Sequence, residues 1–135
     1  MFVRCCHCLN CQRQTGSAFV INLLIETDRL EVTGDPEAVE VPRDDGSAQR
    51  IFRCRACRIA VFSDYGSPKV KFVRGGTLDE PDGVAPDVHI YTRSKLRWVT
   101  LPDTVPAFEN YYDSKKRWPA ASLERLAAVF PSART

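Results

Sequence analysis

The sequence predicts a single mainly β domain with cysteine knuckles and one short C-terminal helix, and three observations carry that prediction. Short runs rich in β-branched and aromatic residues, broken by Gly, Pro and Asp, fill the middle of the chain. Six cysteines fall into two clusters, Cys5, Cys6, Cys8 and Cys11 at the front and Cys54 with Cys57 further on. The one clear helical pattern comes at the tail. At 135 residues the chain fits one domain with a real core, expected to span 1–135.

The elements follow in order. "RCCHCLNC" reads as a metal-binding loop. "FVINLLIETDRLEVTG" (19–34) supplies one or two strands and stops at the turn Gly34-Asp35-Pro36. "AVEVP" (38–42) alternates, "RDDGS" turns, and "AQRIFRC" returns toward Cys54, which predicts a hairpin. "IAVFSDYG" (59–66) is a further strand. "VKFVRGG" and "PDVHIYTR" are two more, separated by the loop "GGTLDEPDGVAP". Ser122 is positioned to cap the helix "LERLAAVF", which presents Leu123, Leu126, Ala127 and Phe130 on one face and ends at Pro131.

Composition narrows the function. With 44% hydrophobic and 27% charged residues the chain is an ordinary globular protein, and a net charge of +2 falls short of the basic excess a nucleic-acid surface shows. No apolar run reaches the ~20 residues of a spanning helix, and "MFVRCCHC" has no signal-peptide stretch, so a cytoplasmic location is expected. In a reducing compartment, clustered thiols point to metal or reactive chemistry rather than to disulfides.

Zinc takes four ligands in a tetrahedron, and C-x2-C turns fold two sulfurs toward one point. Two arrangements are open. Cys8, Cys11, Cys54 and Cys57 can close one four-cysteine ribbon, the site of a non-catalytic binding module. Alternatively, Cys6, Cys8 and Cys11 supply three sulfurs from one loop and leave a fourth position open, the pattern of catalytic zinc. Three thiolates make a net negative site suited to holding a further thiol in deprotonated form.

"CHCLNCQRQTGSAF" resembles the C-H-C-x-x-C-R-R-x-T-G-S-x-F signature of the glutathione-dependent formaldehyde-activating family, which includes the centromere protein V relatives. "FRCRACRIAVF" is similar to the family's second knuckle, "RGGTLDEPDG" to its G-T-L-D-D-P loop, and "PDVHIYTRSKLRWVTLPDTVPAFE" to its H-I-x-x-x-x-K-x-x-W segment. The likeness runs from about Cys6 to about Phe108. It implies several small coiled antiparallel β-sheets, a fold shared with a Rab-binding zinc chaperone, and a carbon–sulfur lyase that joins formaldehyde to glutathione. It also implies that Cys6, Cys8 and Cys11 hold a catalytic Zn2+, and that Cys54 and Cys57 join an earlier C-x-C in a structural zinc site. No C-x-C-G knuckle precedes Cys6 in this sequence. Four outcomes are open: a start cut short, a structural site lost, Cys5 recruited, or the two clusters joined on one zinc.

Other residues carry weaker signals. Arg13 is the candidate substrate-binding residue, because a guanidinium grips a glutathione carboxylate bidentately; a solvated arginine is the alternative. His7, between two ligands, is expected to face solvent or the backbone. His89 is expected to be a hydrogen-bonded strand residue, and Cys5 a spare thiol or alternative ligand. Gly16 supplies the freedom to leave the knuckle. Asp79 suits a turn, and the basic "SKKRW" patch at 114–118 suits solvent.

Overall fold

A computed structural model describes residues 2–43 and 45–131. Among them, seven strands form one hydrogen-bonded sheet: β1 (Phe2–Cys6), β2 (Val20–Glu26), β3 (Glu37–Pro42), β4 (Ala48–Arg53), β5 (Ala60–Asp64), β6 (Val70–Arg74) and β7 (Val88–Ile90). The helices are α1 (Leu9–Thr15), α2 (Ser114–Arg117) and α3 (Ala120–Val129). The mainly β class agrees with the sequence. The strands share edges in one continuous sheet of order β3-β4-β5-β6-β2-β1-β7, because β2 pairs with both β1 and β6 and joins the two ends. Every pairing is antiparallel except β1 with β7.

The front of the chain holds two elements that the thiol-rich loop was not expected to contain. A buried cysteine packs as a small hydrophobe, so "FVRCC" sits in the sheet as β1, with Cys5 and Cys6 only 1% and 4% exposed. Immediately after it, the Cys8 side chain accepts the Cys11 N–H and caps α1, and Gly16 at φ +65° closes that helix. The 19–34 stretch gives one strand, β2, followed by a 3-10 turn over Thr27–Arg29. The expected hairpin forms as β3 and β4, in register from Glu37↔Arg53 to Pro42↔Ala48; Asp44 of its turn lies outside the described residues. At the tail, α3 begins two residues before Ser122. Pro119 occupies the cap, and its carbonyl accepts the Ser122 N–H.

Strand alternation divides the sheet into two faces. On one, Phe2, Arg4 and Cys6 of β1 stand beside Leu24, Asn22 and Val20 of β2. Tyr112 and Trp118 cover the Phe2 end of that face, with Trp118 stacked 5.1 Å from Phe2. Glu26, at the end of β2, accepts two hydrogen bonds from Arg125 of α3 at 2.7 and 2.6 Å and pins the helix to the sheet. On β5, fully buried Asp64 is held by Arg50 at 2.9 and 2.8 Å and by Lys71 at 2.6 Å. Burial opposes ionisation of that carboxyl, but its two cationic partners outweigh burial and keep it below the usual range.

Candidate functional site

Three sulfurs meet where β1 gives way to α1. Alternation places Cys6 on the Arg4 face; the backbone bond from His7 N–H to the Ile90 carbonyl, 3.0 Å, turns the chain; Cys8 caps α1 and Cys11 lies in its first turn. The Sγ atoms of Cys6, Cys8 and Cys11 all lie within 4.8 Å of one another. Zinc–sulfur bonds of ~2.3 Å put tetrahedral sulfurs about 3.8 Å apart, so spacing and donor type both fit zinc. The three thiols are strongly interdependent. Hydrogen bonds from the Cys11 and Cys6 thiols, joined by the Cys11 and Asn10 backbone N–H groups, hold Cys8 down to about 2. Cys11 is pushed up by its bonds to Cys6 and Cys8 and by burial.

Beside the sulfurs lies a cavity of about 260 Å³ lined by Arg4, Cys6, Cys8, Cys11, Arg43 and Tyr91 among others. Arg4 is 7% exposed. Its Nε donates to the Tyr112 hydroxyl at 3.0 Å, and its guanidinium lies 5.4 Å from the Phe72 and Tyr111 rings. No carboxylate pairs with it among the described residues. Buried charge is costly without a partner, so this cavity favours an anion. Arg43, directly after β3, lies 5.2 Å from the Tyr65 ring, donates to Ser47 at 3.2 Å and pairs with the exposed Asp45 carboxylate at 3.4 Å. A neighbouring cavity of about 300 Å³ shares Cys8 and Arg43 and adds Arg93. Tyr91 adopts φ +55°, a left-handed conformation that costs a non-glycine residue about 1–2 kcal/mol. The bond from its N–H to the Asn110 carbonyl, 2.9 Å, helps hold it there.

The other sequence-based candidates disperse. Arg13 is exposed and lines neither cavity. Cys54 and Cys57 form their own knuckle on the β4–β5 connection, where backbone N–H groups of Cys57 and Ala56 draw the Cys54 thiol below its usual range. Arg58 takes the left-handed φ of +65° that often falls to glycine after such a turn. This pair joins no third metal-ligating side chain among the described residues, so the four-cysteine ribbon with Cys8 and Cys11 is not assembled. His7, expected toward solvent or backbone, is fully buried against His89. His89 is the expected hydrogen-bonded strand residue, and Asp79 is exposed. Of the 114–118 segment, Trp118 is buried, while Lys115, Lys116 and Arg117 are exposed. Arg4 and Arg43 were missed. Reading 2–6 as a strand exposes the signal for Arg4, since period two sets it on the same face as Cys6.

No helix among the described residues is long and apolar enough to cross a membrane. Comparison with curated proteins finds no match. Residues 1–94 match the family model described as glutathione-dependent formaldehyde-activating enzyme. That span covers the sulfur trio, both arginines of the cavity and the β7 edge, well over half of the sequence. The chain belongs to the glutathione-dependent formaldehyde-activating enzyme family.

Proposed function

We propose that this protein is a zinc-dependent carbon–sulfur lyase that forms and breaks the adduct of glutathione with formaldehyde, with Cys6, Cys8 and Cys11 as the metal ligands. The observation that carries the reading is the convergence of three cysteine sulfurs at a cavity containing a buried arginine with no carboxylate partner among the described residues. A bound zinc supplies the charge that keeps a substrate thiol deprotonated at neutral pH.

The protein's own groups provide the rest. Arg4 has a fixed orientation, set by the Tyr112 hydroxyl and its aromatic neighbours, and presents its remaining N–H donors to a substrate carboxylate. Arg43 binds a second carboxylate nearer the mouth, where the two cavities meet. Gripping glutathione at its carboxylates brings its sulfur to the trio and makes its encounter with formaldehyde effectively intramolecular. In the addition, the sulfur forms a bond to the carbonyl carbon, the π pair moves to oxygen, and the thiol's proton ends on that oxygen. The reverse step breaks the same C–S bond. Neither direction requires an oxidant or reductant.

Exchange NMR of glutathione and formaldehyde tests the proposal, because the reaction also runs uncatalysed and the enzyme's share must be separated. Zinc-loaded protein is expected to accelerate exchange, and Cys8→Ser to return it to the uncatalysed rate. Arg4→Met and Arg43→Ala are each expected to raise KM for glutathione by about tenfold, the ~1.4 kcal/mol scale of one charged hydrogen bond. Neither should affect a thiol without carboxylates, such as 2-mercaptoethanol. Zinc-loaded wild-type protein that adds nothing to the uncatalysed rate would overturn the reaction assignment.

A further inference from the structure

We propose that Cys5, His7 and His89 form a second metal site, on the opposite face of the sheet from the Cys6 trio, for a borderline-soft cation of the zinc class. Alternation along β1 sends Cys5 to the face that Cys6 does not use. Cys5 is the direct partner of His89 in the parallel pairing of β1 with β7, and His7 follows at the end of β1. One ligand atom from each of the three side chains lies within 4.8 Å of the other two. The Cys5 Sγ is 3.5 Å from His7 Nε2, and that nitrogen is 3.0 Å from His89 Nδ1. Zinc bonds of ~2.3 Å to sulfur and ~2.0–2.1 Å to nitrogen give tetrahedral edges of about 3.5 Å and 3.3 Å. The Cys5–His7 spacing matches the first edge, and the His7–His89 spacing is about 0.3 Å short of the second.

Hydrogen bonding alone serves this cluster poorly. His7 Nε2 faces two neighbours with a single lone pair or a single proton, so Cys5 and His89 compete for it. The other ring nitrogen, Nδ1, has no hydrogen-bond partner among the described residues and carries the ring proton when Nε2 ligates a cation. A cation satisfies all three converging atoms at once. Donor chemistry also selects it, since one thiolate with two imidazoles suits zinc and its relatives rather than magnesium or calcium. On binding, the Cys5 thiol proton leaves to solvent, both imidazoles stay neutral, and no electron is transferred. Exposures of 1%, 0% and 6% for Cys5, His7 and His89, with the Phe19 ring 5.5 Å from His7, screen the three ligands from solvent and leave the fourth tetrahedral position to a water. The site would fasten the three-residue β7 to β1 and leave the open chemistry to the other face.

Cadmium-113 NMR of the full chain loaded with 113Cd2+ tests the site directly. The expected spectrum contains a resonance of mixed nitrogen and sulfur character, upfield of the one from the Cys6, Cys8 and Cys11 trio, with scalar coupling into the His7 and His89 imidazole protons. Cys5→Ala and His89→Phe should each abolish it, lower the bound cadmium by one equivalent and leave the trio's resonance in place. Wild-type protein without cadmium–imidazole coupling would overturn the proposal, whether or not either variant folds. Loss of the trio's resonance alone would count against the lyase reading and leave this site standing.

Discussion

Cys8 combines a cap and a candidate metal ligand in one atom, and the two roles can be separated by chemistry. Serine is the better helix cap and the poorer zinc ligand. Cys8→Ser is therefore expected to keep the stability of the metal-free protein within about 0.5 kcal/mol of wild type while lowering zinc affinity by at least tenfold, measured by denaturation and competitive chelation. Gly75 tests packing in the same way. A Cβ there would sit 2.7 Å from Ile21 Cγ2 and 3.2 Å from Leu23 Cδ1, where β6 ends against β2. Gly75→Ala is expected to cost about 1–3 kcal/mol of unfolding free energy, and an unchanged midpoint would show that β2 gives way freely. Residue types and spacing offered the sulfur trio as one of two cysteine groupings, and the family resemblance singled it out. Arg4, Arg43 and the His7–His89 contact were not legible that way. An arginine's partners depend on which strands become neighbours, and the ring of Arg4's neighbours includes side chains as distant in sequence as Tyr111 and Trp118.

Most elements could be read from the sequence, and the exceptions share a cause. Strands with alternating or β-branched runs, β2 to β7, fall where pattern and turn residues place them. β1 and α1 escape notice because cysteine gives little propensity signal, and their thiol density drew attention to metal chemistry instead. α3 begins at Ala120, earlier than its serine suggested, because Pro119 takes the cap position and its carbonyl accepts the Ser122 and Leu123 N–H groups. Docking of α3 depends on the Glu26–Arg125 pair. The hydrogen bonds from Arg125 lower Glu26 from 4.5 to about 2, so the folded state binds that proton less readily than the unfolded chain. The stabilisation is fully present above pH ~4.5 and disappears as pH falls through ~2. Arg125→Met should lower stability by about 2 kcal/mol at pH 7 and remove much of the acid dependence between those values, as followed by urea denaturation. Equal acid dependence in both proteins would place the sensitive carboxylate elsewhere.

At the level of the whole molecule, one sheet separates two sets of potential ligands. The trio opens onto a cationic cavity on one face, Cys5 with the two histidines is buried on the other, and the Cys54–Cys57 knuckle stands apart on the β4–β5 connection. Spacing alone allowed Cys8 and Cys11 to share a zinc with the later knuckle; the tertiary fold keeps the two groups separate because each knuckle is anchored to a different part of the sheet. Zinc-edge X-ray absorption of the Cys5→Ala variant carrying one zinc equivalent, in which the Cys5–His7–His89 group cannot compete for the metal, tests the central claim most directly. The account expects three sulfur neighbours and one lighter atom, with the lighter atom replaced by a fourth sulfur when glutathione is added. Four sulfurs before glutathione, or a spectrum unchanged by it, would contradict an open three-cysteine centre.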